Sequence, residues 1–252
     1  MIMKKQLLAS ALALIVSGAC NTAGATTGKP VDWSYTAPIG AENWGGLSSE
    51  YEGCTSGQAQ SPIDIRDAVE TEIAPLAFTF QAGPAAILNN GHTIQVSSSA
   101  AGGITLPSGK YAFVQMHFHT PSEEKIMGRT YPLNAHLVYR NTAGELAVVA
   151  LLFEEGTHNP TLEPVLAAMP DNAGGMETLK TLNIANLLPS NRRYYSYAGS
   201  LTTPPCTEGV RWHVLSSVLQ LSTTQLQAFK ALYPMNARPV QPLNGRSIQV
   251  GG

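Results

Sequence analysis

Charge is what this chain has least of. Only 13% of its 252 residues are Asp, Glu, Lys or Arg, against about 25% in an average soluble protein. A disordered chain carries few apolar residues and much charge; here 44% are apolar, which excludes that class. Basic residues show no surplus, with 15 Lys and Arg against 17 Asp and Glu and a net charge of −2. No basic cluster exceeds a pair such as Arg192-Arg193. Gripping a phosphate backbone needs such a surplus, so nucleic acid is excluded as a partner. Long hydrophobic runs are missing as well. The one that stands out, Leu7 to Val16, is ten residues long, whereas a helix needs about 20 to span a bilayer. No repeat period, charge run or long linker divides the chain, so the expectation is one domain with a large core.

What is present begins with an address. Lys4-Lys5, the Leu7–Val16 run and Ala23-Gly24-Ala25 follow the order of a secretory signal peptide, with an A-x-A cleavage pattern. Residues 1–25 are therefore expected to be removed, leaving 26–252 as the functional domain. Losing Lys4 and Lys5 takes the net charge from −2 to −4. Ser17-Gly18-Ala19-Cys20 leaves a lipoprotein alternative, with Cys20 acylated, although Ser17 stands where an aliphatic residue is usual. Cysteine is rare, three in all; without Cys20 an even pair remains, Cys54 and Cys206. In an oxidising compartment an even pair reads as a disulfide; two buried free thiols are the alternative.

The rest of the chain is rich in turns, with 23 Gly and 17 Pro, and short β-branched or aromatic runs lie between them. Strands are expected at Leu76–Phe80, Ile87–Leu88, Thr93–Val96, Tyr111–His119, His136–Tyr139 and Leu146–Phe153. Ser222 with Gln225 forms a capping box, Leu226 and Phe229 share a face, and Pro234 ends the helix. A second short helix is expected around Leu162–Met169. The fold class is mainly β, with helices at the periphery.

Chemistry concentrates on two of these strands. Period-two alternation in Tyr111–His119 puts Gln115, His117 and His119 on one face and Val114, Met116 and Phe118 on the other. One histidine in a strand is usually structural. Two at i and i+2 aim both rings into one space, which is how a strand begins a metal site. His136, on the next strand, completes three imidazoles if the strands pair. Three neutral histidines with one open position suit catalytic zinc; carbonic anhydrase is the reference example of that arrangement.

Gln115-Met116-His117-Phe118-His119-Thr120-Pro121-Ser122-Glu123, followed by Ala135-His136-Leu137-Val138, closely resembles the zinc-binding core of the α-class carbonic anhydrases. The likeness runs from Trp33-Ser34-Tyr35 and Glu42-Asn43-Trp44, through Gln60-Ser61-Pro62-Ile63-Asp64-Ile65 and Asn89-Asn90-Gly91-His92, to Gly199-Ser200-Leu201-Thr202-Thr203-Pro204-Pro205-Cys206 and Trp212. The signal peptide and the Cys54–Cys206 pair look like the bacterial, periplasmic branch, in which dimers are frequent.

The resemblance implies a single domain on a large twisted, mostly antiparallel sheet with short peripheral helices. It implies Zn2+ on His117, His119 and His136, and a zinc-bound hydroxide that attacks carbon dioxide to give bicarbonate. Thr202 would accept the hydroxide's hydrogen bond and donate its own proton to Glu123, aiming a lone pair at the substrate. His92 would shuttle the proton to buffer, with Asn90 and Gln95 beside it on the cavity wall and Gln115 among the residues behind the zinc ligands. Val138, Val148, Leu201, Thr202, Thr203 and Trp212 would receive carbon dioxide. His158 and His213 match no functional position and read as structural or surface residues.

One departure stands out. The family usually has Glu where this chain has Asn134, behind the third zinc histidine, and losing such a carboxylate typically costs about 10–100-fold in metal affinity or activity. Weaker zinc binding is the expectation. Glu124, where many relatives carry His, reads as a smaller departure. A metallo-β-lactamase-type hydrolase needs an Asp-His pair where Thr120-Pro121 stand. A catalytically weak or silent relative serving as a binding module is the remaining alternative, but no zinc histidine is missing.

Overall fold

Runs of Val, Ile, Leu and aromatic residues between Gly, Pro and Asn turns pair into one large sheet in the computed structural model, which describes residues 31–252. The proposed signal peptide and Cys20 lie outside the described residues. In spatial order the main strands are Met176–Leu182, Gly83–Asn89, Ile94–Ser97, Gly109–His119, Leu133–Arg140, Leu146–Glu155, Glu208–Leu215, Tyr194–Ser200, Gln249–Gly251 and Val69–Glu70. Neighbours are mostly antiparallel. The exceptions along this path are Leu146–Glu155 beside Glu208–Leu215 and Gln249–Gly251 beside Val69–Glu70, which run parallel. The expected mainly-β fold is the one observed.

Both faces of the sheet's centre are covered, so its central strands read as continuous apolar runs and not as alternations. Every residue from Ala147 to Phe153 is buried. One face packs Ile87, Val96, Met116, Phe118, Leu137, Val149 and Leu151 against Leu226 and Phe229 of the helix Thr223–Leu232. The expected capping box is formed: Ser222 Oγ accepts from Gln225 N at 3.2 Å, and Gln225 Oε1 accepts from Ser222 N at 3.1 Å. The other expected helix is shorter than read, Glu163–Ala167. The opposite face packs Ile63, Ile65, Val138, Val148, Leu152, Trp212 and Val214.

The alternation along Tyr111–His119 is interrupted. Pairing with the next strand runs in step from His119 to Gln115, then shifts so that Tyr139 opposes Phe113. A bulge of this kind leaves one residue unpaired and re-aims its neighbours. Val114 therefore packs on the face shared by the histidines, and Phe113 takes its place against Tyr139 and Phe80. The reading that set Val114 beside Met116 and Phe118 is corrected accordingly.

His213 is a core residue, 7% exposed. Its ring meets Tyr194 edge-on, its Nδ1 lies 3.4 Å from Ser196 Oγ, and Nε2 has no partner among the described residues. Burial, helped by the charge on Arg211, pushes its pKa down to about 4. The folded protein thus keeps this ring neutral where the unfolded chain, with an ordinary pKa near 6.5, takes up a proton. Stability is lost as pH falls from about 6.5 towards 4, by up to about 3 kcal/mol from this residue. Urea unfolding across that range should therefore fall less steeply for His213→Phe than for the parent. Parallel curves would show that His213 does not carry the effect.

Candidate metal centre

Antiparallel pairing sets His136 directly opposite His117 and Asn134 opposite His119. Because side chains alternate along each strand, all three imidazoles emerge on the same face. Ring centroids lie 4.9 Å apart for His117 and His119, 5.3 Å for His117 and His136, and 4.7 Å for His119 and His136. One ligand nitrogen from each falls within 4.8 Å of the others.

Hydrogen bonds decide which nitrogen each ring offers. His117 Nδ1 donates to Gln115 Oε1 at 2.8 Å, and His119 Nδ1 donates to the Asn236 carbonyl at 2.8 Å. Both acceptors are oxygens, so the protons sit on Nδ1 and the Nε2 lone pairs are free. His136 is turned the other way: its Nε2 donates to Glu124 Oε1 at 2.9 Å, leaving Nδ1 free. Three lone pairs thus converge, held from behind by an amide, a backbone carbonyl and a carboxylate.

Burial keeps two of the three rings neutral and so free to ligate. Burial, reinforced by the neighbouring His136, pushes His117 down to about 3. Burial and the two other rings push His119 well below the ordinary imidazole range. Burial also presses His136 down, but the charge on Glu124, its hydrogen bond and the charge on Glu123 outweigh it and raise the pKa. His119 Nε2 is buried with no partner among the described residues. A buried polar atom left unpaired is costly, and a metal ion is what this one is built to meet. Three histidines with a fourth position open match the donor set of catalytic zinc.

Around the triad, Glu123 is sealed from solvent. Its Oε1 accepts from the Arg238 backbone N–H at 2.8 Å, while Oε2 lies 3.5 Å from His119 Nε2 and 3.8 Å from His136 Nδ1. Burial raises Glu123 to about 7, against the opposing pull of His136, the Arg238 N–H and the Thr202 hydroxyl. Val138 pairs with Val148, which pairs with Trp212, and the Trp212 ring sits 4.8 Å from His136. Leu201 packs against the same cluster. The apolar residues named from sequence are therefore together beside the triad. Thr203 caps the turn after Thr202, its carbonyl accepting from Cys206 N at 2.9 Å. Cys54 and Cys206 form a disulfide, as expected.

His92 is half-buried and stacks on Trp33, with centroids 3.7 Å apart and planes 6° from parallel. Burial lowers its pKa, partly offset by Asp32. Gln95 opposes His117 across the strands. Asn90, beside His92, is exposed, and its Oδ1 accepts from His92 N and Thr93 N at 2.9 Å each. It shapes the turn, which Gly91 completes at φ +87°.

Two residues of the site were not read from sequence. Asn236 holds His119 through its carbonyl, accepts from Thr120 N, and donates to the His92 and Phe118 carbonyls. Arg238 is buried and donates to Gln60 Oε1, the Ser61 carbonyl and the Cys54 carbonyl. Neither lies in a periodic or recognisable local pattern.

Comparison with known proteins agrees with the geometry. Residues 39–251 match the family model described as eukaryotic-type carbonic anhydrase. A carbonic anhydrase of Pectobacterium atrosepticum is 41% identical over 239 residues, covering 94% of this chain and 97% of its own. One from Klebsiella pneumoniae is 42% identical over 220 residues, covering 86% and 89%. Among solved structures, the α-carbonic anhydrase of Thermovibrio ammonificans in complex with the inhibitor sulfanilamide superposes with a TM-score of 0.86 at 41% identity. That match covers 88% of this chain and 100% of the other.

Proposed function

The chain belongs to the eukaryotic-type, α-class carbonic anhydrase family and is a zinc enzyme that converts carbon dioxide and water reversibly to bicarbonate and a proton; on that premise we propose a role for each residue of the site. His117 Nε2, His119 Nε2 and His136 Nδ1 hold the metal. Bound there, zinc lowers the pKa of a coordinated water to near neutrality and so supplies the nucleophile, a behaviour for which carbonic anhydrases are themselves the reference case.

The protein's own groups orient and clear the reaction. Thr202 is 5% exposed, and Glu123 Oε2 beside it is buried and makes no other hydrogen bond among the described residues. A hydroxyl that donates its single proton to that carboxylate presents only lone pairs to the open position, which orients the nucleophile. Val138, Val148, Leu201 and Trp212 form the apolar wall that receives carbon dioxide, with Thr203 at its edge. A molecule without charge gains most from such a surface.

The convergence of three imidazole nitrogens carries this reading. Metal analysis of purified protein should find one zinc per chain, and stopped-flow assays should show carbon dioxide hydration abolished by dipicolinate and restored by zinc. Full activity in metal-free protein would overturn the assignment.

His92 is the proposed proton shuttle. Its stack on Trp33 holds the ring, and an imidazole is the side chain suited to passing protons to buffer. His92→Ala should slow turnover in weak buffer, at the low end of the roughly 10²–10⁴-fold range of general acid–base catalysis. Added imidazole should restore the rate. An unchanged rate at every buffer concentration would remove His92 from the pathway.

We place the protein in the bacterial periplasm, with residues 1–25 as signal peptide and 26–252 as the catalytic domain. Supporting this are the Lys4-Lys5, Leu7–Val16 and Ala23-Gly24-Ala25 sequence and a disulfide, which needs an oxidising compartment to persist. No described helix is long and apolar enough to cross a membrane. A homodimer, frequent in the bacterial branch, belongs to the same proposal, and light scattering on the mature protein measures it.

A further inference from the structure

Asn134 leaves His136 without the carboxylate that the family usually supplies from that position, yet a carboxylate stands there. Glu124, two strands' connection away in sequence, is fully buried. Its Oε1 and Oε2 lie 2.9 and 3.2 Å from His136 Nε2. Asn134 Nδ2 donates to Glu124 Oε2 at 2.7 Å and sits 2.6 Å from His136 Nε2. The amide and the imidazole thus both point their N–H groups at one carboxylate. Set this way, Asn134 Oδ1 has no partner among the described residues and the two nitrogens lie close together; the N–H donated to Glu124 Oε2 is what fixes the amide's orientation.

The backbone holds Glu124 in place on both sides. Ser122 Oγ donates to the Glu124 carbonyl at 2.8 Å and accepts from Tyr131 N at 2.9 Å. The next residue, Lys125, donates its N–H to the Ile63 carbonyl and pairs with Thr130. A carboxylate so fixed keeps the proton on Nε2 of His136, which leaves Nδ1 as the ligand, and it fixes the plane of the ring.

We propose that Glu124 is the positioning carboxylate of the metal centre, transposed from the strand that carries His136 to the segment after His119, and that Asn134 is its clamp. The weaker zinc binding expected from Asn134 alone therefore does not follow. The proposal rests on the zinc assignment of His117, His119 and His136.

Zinc loss to dipicolinate, followed optically and independently of activity, tests it in four proteins: the parent, Glu124→Gln, Asn134→Glu, and the two changes combined. The parent should hold one zinc; a parent without zinc would overturn the metal assignment and this inference with it. Glu124→Gln should lose zinc faster, by about 10–100-fold. Asn134→Glu alone should give no gain, because it crowds two buried carboxylates around one imidazole. The combined variant returns a single carboxylate to His136 from the other strand and should retain zinc as the parent does. A purely structural role for Glu124 would not predict that rescue. Zinc loss from Glu124→Gln at the parent's rate, or a combined variant no better than Glu124→Gln, would overturn the proposal while leaving the zinc assignment intact. Should Glu124→Gln fail to fold, the combined variant decides: parent-like retention upholds the proposal, and faster loss or failure to fold overturns it.

Discussion

A His119→Ala protein is expected to hydrate carbon dioxide no faster than buffer does and to carry substoichiometric zinc. His119 is fully buried, its Nδ1 is committed to the Asn236 carbonyl, and its Nε2 has no partner among the described residues. Removing the ring takes away one of three donors and unpairs the Asn236 carbonyl. Two imidazoles do not close a coordination shell that keeps a single open position. Circular dichroism of the metal-free proteins separates lost ligation from lost folding. Metal content and stopped-flow hydration then check the result directly. A folded, zinc-free His119→Ala protein with parental activity would sink the metal mechanism.

The second large effect concerns the disulfide. Cys54 and Cys206 lie 152 positions apart, and cross-linking a loop of that length stabilises by up to about 5 kcal/mol in the chain-entropy model. The bond joins the short helix Gly53–Ser56 to the turn that follows Thr202. Both half-cystines are tied further into the site's frame: Arg238 donates to the Cys54 carbonyl, and Gln60 Nε2 donates to the Cys206 carbonyl at 3.0 Å. Replacing both cysteines by serine should lower the unfolding free energy in urea by several kcal/mol, approaching that bound. Turnover should fall too, because the turn carrying Thr202 loses an anchor. A stability change below about 1 kcal/mol would mean that packing around Trp44, and not the cross-link, holds this region.

The sequence by itself determined what depends on neighbours along the chain. Period two put Gln115, His117 and His119 on one face, and the bulge at Val114 came too early in the strand to disturb them. The Ser222–Gln225 capping box and Pro234 set the helix Thr223–Leu232. Strands such as Gly83–Asn89 and Leu133–Arg140 were found but cut short, because their ends carry residues with low strand propensity, Gly83, Pro84, Ala85 and Ala86 in the first and Asn134 and Ala135 in the second. Met176–Leu182, Tyr194–Ser200 and Glu208–Leu215 were not read at all. Met176–Leu182 is mostly exposed and polar and gives no local signal; pairing with Gly83–Asn89 makes it part of the sheet. Tyr194–Ser200 and Glu208–Leu215 do carry a strand signal, in Tyr194, Tyr195 and Tyr197 and in the alternation of Val210, Trp212 and Val214.

Only the tertiary structure decided which groups stand behind the three histidines. Asn236 reaches His119 from 117 residues away, and Arg238 fixes Glu123 from a distance of 115. Contacts across such separations leave no periodicity or spacing to read. Glu124 makes the same point at close range. From sequence it was one more acid after Glu123, and Asn134 was a missing charge. The fold brings the two side chains within 2.7 Å of each other in a sealed site, where a carboxylate must be hydrogen-bonded to be tolerated. Burial and the aim of two N–H groups turn that acid into a partner for His136, and both are properties of packing that a linear chain does not carry.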